Sequence, residues 1–355
     1  MKKQSNSDNH SPYAISFGRI PGKYIDRDLL TDDIVDVLND DPVTEQAFKI
    51  TGVRGAGKTV TLTAIEKRIK HDTRWIVIDL KSTSSITEDL IANLYSEVPF
   101  LKSFIDASIN LSALGIGINL GKKSPVSSLD AALKKIVKEI KKKGKKLLIV
   151  IDEIRKTNAV IDFIQEFQIL IREDLPVFLL AAGLYEDIED VENTDGLTFF
   201  LRAETIRIAP LSLAIIKADY KETLELDEKT ALELAQLTMG YAFAYQAFGK
   251  YMWESGEHRI TEMVLAKTDN ALSVKVYEKI WSELSPQDKL FLKCIAENGT
   301  ISTEDLLLQT NMTHSKWSTP RKRLIGKGII DGSVRGQVSM CLPRFKEFIE
   351  SQEIC

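Results

Sequence analysis

Gly52-Val53-Arg54-Gly55-Ala56-Gly57-Lys58-Thr59 is the stretch from which the rest of the chain is read. It satisfies G-x-x-x-x-G-K-[ST] at every fixed position, and its surroundings meet the structural condition that gives the pattern meaning. Phe48-Lys49-Ile50-Thr51 enters it as a strand, and an amphipathic run from Val60 to Lys70 leaves it as a helix. Glycines let such a loop close around an anion with its N–H groups turned inward, and the positive end of the following helix adds to the field. Gly52, Val53, Arg54, Gly55, Ala56, Gly57, Lys58, Thr59 and Val60 are therefore the expected phosphate-binding residues for ATP. Lys58 is expected to reach the β- and γ-phosphates, and the Thr59 hydroxyl to ligate Mg2+.

A second motif supports the first. Leu147-Leu148-Ile149-Val150-Ile151-Asp152-Glu153 is an apolar strand ending in two carboxylates, which the sheet would present at the edge where ligands of open α/β folds sit. Asp152 is the expected metal partner of Thr59, and Glu153 the group that polarises the attacking water. Arg202, in Phe199-Phe200-Leu201-Arg202-Ala203-Glu204, precedes the last expected strand. It reads either as an arginine finger, acting in cis or on a neighbouring subunit, or as a surface arginine paired with Glu204.

Around these motifs, residues 15–210 alternate β-rich apolar runs with helical periodicity, the mark of a parallel α/β sheet with helices on both faces. The expected strands are Ala47–Thr51, Trp75–Leu80, Leu147–Ile151, Pro176–Ala182 and Thr205–Ile208. Leu129, Ala132, Leu133, Ile136, Val137 and Ile140 share one helix face, capped by Ser128 and stopped by Gly144; the lysines between them read as a solvated face. Residues 211–280 are helical throughout and form a lid domain, in which the aromatic run Phe243, Tyr245, Phe248 and Tyr251 reads as core. Residues 281–355 restart with Ser285-Pro286 as cap and first turn. Three helices and an alternating segment from Ile329 to Leu342 follow, with Pro320 leaving the third helix's start open, which is the layout of a winged helix. Residues 1–14 read as a disordered polar tail, and Ser108–Gly121 as either an inserted β-ribbon or a partner-binding loop.

With these motifs in place, the chain resembles the AAA+ superfamily of P-loop ATPases, in the branch shared by origin-recognition initiators, archaeal-type ATPases and STAND signalling ATPases. The resemblance runs through the lead-in Ile20-Pro21-Gly22-Lys23-Tyr24-Ile25-Asp26-Arg27-Asp28, the lid and the C-terminal domain. Three departures bear on activity. The strand after Asp152-Glu153 ends Leu180-Ala181-Ala182-Gly183, without the polar residue usual in the family, for which Thr157 or Asn158 are the nearby substitutes. Gly240-Tyr241-Ala242 stands where STAND lids carry Gly-x-Pro, with no clear sensor arginine, and Asp26 stands where glycine is common. The resemblance thus implies a slow, nucleotide-gated switch rather than a motor.

Composition bounds the partners. A net charge of −4 over 355 residues argues against wholesale coating of nucleic acid. The charges are segregated, however. Between His314 and Lys346 lie eight cations (Lys316, Arg321, Lys322, Arg323, Lys327, Arg335, Arg344, Lys346) against one acid, Asp331. Arg321, Lys322 and Arg323 fall on the helix a winged helix would insert into a major groove of duplex DNA, and Trp317 reads as core. The alternatives are a signalling ATPase whose C-terminal domain is a protein-interaction or autoinhibitory module, and a nucleotide-binding scaffold that never hydrolyses; a homo-oligomer fits either. Three scattered cysteines, no apolar run of bilayer length and no signal-peptide core point to a cytoplasmic protein without a membrane role.

Overall fold

The computed structural model describes residues 10–16, 21–82, 85–109 and 128–352. The ribbon-or-loop expectation for Ser108–Gly121 falls almost wholly outside them. The chain forms two compact units, one of 27–51 with 58–207, the other of 1–26 with 52–57 and 208–355.

The first unit runs α1 (Asp28–Asn39), β1 (Ala47–Thr51), α2 (Lys58–Lys70), β2 (Trp75–Lys81), α3 (Ile86–Glu97), α4 (Pro99–Ser108), α5 (Leu129–Lys142), β3 (Lys146–Asp152), α6 (Asn158–Arg172), β4 (Val177–Gly183), α7 (Tyr185–Glu192), α8 (Thr198–Arg202) and β5 (Glu204–Arg207). Among the described residues these strands form one parallel sheet in the order β2-β3-β4-β1-β5. Both faces are covered, which is why β3 and β4 are apolar without alternation. Leu147, Ile149 and Ile151 join the core under α3, α5 and α6, while Leu148, Val150, Phe178 and Leu180 are equally buried on the face that α2 covers. The Ser128 hydroxyl caps α5 by accepting from the Ala131 N–H, and the lysines beyond it stand in ion pairs, Lys134 and Lys138 with Glu173.

The second unit opens with α9 (Leu213–Thr223), α10 (Glu228–Leu237), α11 (Ala242–Ser255) and α12 (Glu262–Leu272), then a π-turn (Ser273–Tyr277) and α13 (Glu278–Ser282). There follow α14 (Pro286–Asn298), β6 (Thr300–Ser302), α15 (Thr303–Thr310), α16 (His314–Gly326), β7 (Ile330–Asp331), β8 (Gln337–Met340) and α17 (Phe345–Ser351). The three strands pair antiparallel in the order β6-β8-β7; β6 is an addition to the sequence reading. One continuous core carries Phe243, Tyr245 and Phe248 of α11 together with Phe291 of α14 and Trp317 of α16. The π-turn belongs to it through Tyr277, whose hydroxyl bonds the Pro343 carbonyl at 2.5 Å and whose ring packs on Phe345.

One detail corrects the sequence reading and another resolves a choice it left open. Tyr13, placed in the polar tail, is 2% exposed: its hydroxyl donates to Asp219 at 2.7 Å and its ring lies over Gly249, where any side chain on α11 would collide with it. Gln246 holds the same segment from both sides, accepting from the Ala14 N–H and donating to the Lys23 carbonyl, both at 2.8 Å. Of the two places left open for it, Pro320 takes the interior one, buried within α16. The carbonyl its missing N–H would have bonded is that of Lys316, and the Gln287 side-chain amide donates to that oxygen at 3.1 Å. No helix of the described residues is long and apolar enough to cross a membrane.

Candidate nucleotide-binding site

In the first unit, the sheet's carboxyl edge brings together residues ninety-three positions apart. Thr59, in the first turn of α2, donates its hydroxyl to Asp152 Oδ2 at 2.6 Å, and Asp152 closes β3. The other carboxylate oxygen of Asp152 accepts from the Glu153 N–H at 2.9 Å. Glu153 has a φ of 53°, unusual for a residue with a side chain and worth about 1 kcal/mol of strain. That conformation turns its carboxylate away from β3 into the open: its side chain is 72% exposed, with Arg155 at 3.7 Å. Lys58 opens α2 directly ahead of Thr59 and is half-buried.

In the second unit, residues 52–57 lie against the start of the lid. The Phe243 N–H donates to the Gly55 carbonyl at 3.1 Å, and the Tyr241 hydroxyl donates to the Arg54 carbonyl. Gly55 has a φ of 79°, and a methyl group there would stand 2.3 Å from the Tyr241 oxygen. Burial pushes the Tyr241 hydroxyl far above its ordinary pKa, so it remains a donor. Val53, on the other side of the loop, packs on the core that includes Leu324 and Ile329, beside Gly328 two residues past α16, where an added Cβ would stand 3.6 Å from the Val53 Cβ.

The expected sensor position is apolar as read, for β4 is buried throughout and its Ala182 carbonyl is taken by the Ile154 N–H. Of the two suggested substitutes, Thr157 is the N-cap of α6, accepting from the Val160 N–H, and Asn158 is an exposed first helical residue. Arg202 ends α8 in an exposed position and makes no ion pair with Glu204 among the described residues. The parallel register sets Glu204 level with Phe48, Leu180 and Val150, two residues short of Asp152, and Arg202 precedes it on α8.

Two residues that sequence reading passed over belong to this neighbourhood. Arg207 closes β5 level with Thr51 and Gly183, exposed, and lies over the Tyr185 ring at 5.8 Å. Lys49, inside β1, is fully buried. A strand-end arginine and a lysine within an apolar strand carry no spacing signature, so only the register exposes them.

Residues 27–181 match the model of the KAP family P-loop domain, and residues 274–349 match a domain of unknown function (DUF8462). No curated protein matches the chain. Among solved structures, the ORC2 protein of Aeropyrum pernix, in ADPNP–ADP complexes, aligns at a TM-score of 0.58 and 13% identity, over 96% of this chain and 98% of that one. The chain has the α/β fold of that protein, a five-stranded parallel sheet flanked by helices, with a P-loop domain over 27–181. Cdc6p of Pyrobaculum aerophilum aligns at 0.48 and 15% identity, over 96% and 98%. The ORC1 protein of Aeropyrum pernix, in complex with DNA, aligns at 0.45 and 16%, over 96% of each chain.

For a P-loop domain, nucleotide binding is supported by the loop and its setting, and the residues fit the Mg2+ that accompanies a bound nucleoside triphosphate. Thr59 Oγ1 and Asp152 Oδ2, at 2.6 Å, are two hard oxygen donors close enough to share one small cation. The loop's crowding at Gly55 and its positive φ suit a backbone that turns amides toward an anion.

Proposed function

We propose that this chain is an ATP-dependent switch that hydrolyses ATP slowly and couples nucleotide state to its C-terminal domain, a winged helix that binds duplex DNA. One observation carries the reading. The phosphate loop's own backbone is bonded to the lid at Tyr241 and Phe243, and its Val53 packs beside Gly328 at the end of α16. A loop whose shape depends on its anion cannot change without being felt at both places. Lys58 and residues 52–60 bind the phosphates in this reading, and Thr59 with Asp152 would hold Mg2+, which neutralises phosphate charge when bound. Glu153 accepts the proton of the attacking water. Slow turnover is supported by the apolar end of β4 and by the exposure of the Glu153 side chain, 72%, to solvent.

The C-terminal elements occur in the order α14-β6-α15-α16-β7-β8, in keeping with a winged helix whose α16 would enter the groove. The basic set available to DNA is smaller than the sequence suggests. Arg323 is paired with buried Asp288, Arg321 donates to the Gly332 carbonyl at 3.2 Å, and Arg344 makes a two-pronged pair with Asp269. Lys316 and Lys322 on α16 and Arg335 between β7 and β8 are exposed. A second reading, protein docking by the same domain, is favoured by Leu308, 80% exposed, and by a groove lined by Pro286, Leu290 and Met312.

Full-length protein separates these readings. Lys58→Ala should abolish ATP binding, and Glu153→Gln should retain ATP while slowing phosphate release at least tenfold. Lys322→Ala with Arg335→Ala should weaken duplex binding on every sequence and flatten its salt dependence. Duplex binding that is undetectable at low salt, with and without ATP, would refute the DNA role and leave the docking reading.

A further inference from the structure

Lys49 is an unexpected residue to find inside β1. The strand lies between β4 and β5, and Lys49 has no accessible surface. Burying an ammonium costs several kcal/mol unless it is fully partnered, and a well-packed apolar residue usually serves stability as well. Its partners are specific. The Nζ atom bonds Glu192, the last residue of α7, at 2.5 Å, and donates to the carbonyls of Phe200 at 2.7 Å and Leu201 at 3.3 Å. It also lies 5.2 Å from the centre of the Phe200 ring.

The two carbonyls belong to the last turn of α8, where helical oxygens lose their intrahelical donors and the helix dipole favours a cation. Arg202 is the next residue, exposed, on a helix of five residues that could not hold its own direction. Lys49 itself stands three residues ahead of Gly52, on the strand that runs into the phosphate loop.

We propose that Lys49 is a positioning residue for Arg202. By fixing the end of α8 to β1 through the Phe200 and Leu201 carbonyls, it sets the line along which Arg202 leaves this subunit toward the nucleotide of a neighbouring copy. Glu192 neutralises the ammonium and pins α7 to the same point. The proposal rests on reading Arg202 as an arginine finger in trans, and the experiment is arranged so that each can fail separately.

The measurement is steady-state ATP turnover at saturating nucleotide, with ATP affinity measured in parallel, on the wild type, Lys49→Met, Arg202→Ala and the double variant. Arg202→Ala should lower kcat without changing affinity. Lys49→Met should lower kcat by on the order of tenfold to a hundredfold, the cost of misplacing a catalytic group by about 1 Å, again without changing affinity. The double variant should be no slower than Arg202→Ala alone, because a misaimed side chain that is already absent costs nothing more. A double variant slower by the full Lys49→Met factor would overturn the positioning role while leaving the finger intact. An Arg202→Ala protein with wild-type kcat would overturn the finger and the proposal with it. If Lys49→Met does not fold, Glu192→Gln keeps the shape and weakens the hold on the ammonium, and the same non-additivity with Arg202→Ala is expected.

Discussion

At the scale of single residues, the phosphate loop is most sensitive at Gly55. Its backbone lies in the left-handed region, which costs a residue with a side chain about 1–2 kcal/mol, and a new Cβ would stand 2.3 Å from the Tyr241 oxygen. Gly55→Ala should therefore destabilise the protein by about 2 kcal/mol or more and weaken ATP binding. The two causes can be separated. Tyr241→Phe removes the colliding oxygen, at the expense of the bond to the Arg54 carbonyl, so Gly55→Ala with Tyr241→Phe should melt above Gly55→Ala alone. Equal melting of the two would mean that backbone strain alone sets the cost. The identity of this glycine was legible from the motif, but not its second reason. Nothing in Gly52–Thr59 says that a tyrosine nearly two hundred residues later fills the space beside it.

At the scale of elements, the sequence was legible wherever one local rule controlled the outcome. β3 and β4 follow continuous apolar runs, and Ser128, Ser285 and Ser302 cap the helices that their positions announce. It was illegible where a distant partner decided. Pro320 stays inside α16 because Gln287, thirty-three residues earlier, satisfies the carbonyl that the proline leaves open. Arg323 looked like part of a DNA-reading face because a basic run shows charge and not orientation. The structure commits it to α14 instead: its NH2 bonds both oxygens of Asp288, at 2.7 and 2.8 Å, and Asp288 is also the return half of α14's capping box. Asp288 is 1% exposed, so Arg323→Ala would leave a buried carboxylate without its counter-charge, a loss of about 3 kcal/mol. Lys316→Ala, on the same helix and exposed, should change stability by less than about 0.5 kcal/mol. Chemical denaturation of the two variants checks the contrast, and equal stabilities would show that the pair does not hold α16 to α14.

At the scale of the molecule, the second unit contains residues 52–57 in the same compact body as the lid and the C-terminal elements. The loop therefore has two mechanical outputs besides its phosphate-binding surface. One is the Phe243 N–H bonded to Gly55 at the start of α11; the other is the packing of Val53 beside Gly328, whose own N–H closes the end of α16 by bonding the Ile325 carbonyl at 3.0 Å. Amide hydrogen exchange reads both outputs directly, because each bond protects a named proton. Adding ATP with Mg2+ should alter exchange in peptides covering Gly52–Gly57, Tyr241–Phe243 and Leu324–Ile329 together. The same additions to Lys58→Ala, which removes the phosphate contact, should leave all three unchanged, while Glu153→Gln should hold the ATP pattern after the wild type has relaxed. A response confined to residues 52–57, with the end of α16 exchanging as before, would disconnect nucleotide from the C-terminal domain. The chain would then be an ATP-binding body carrying a domain it does not control.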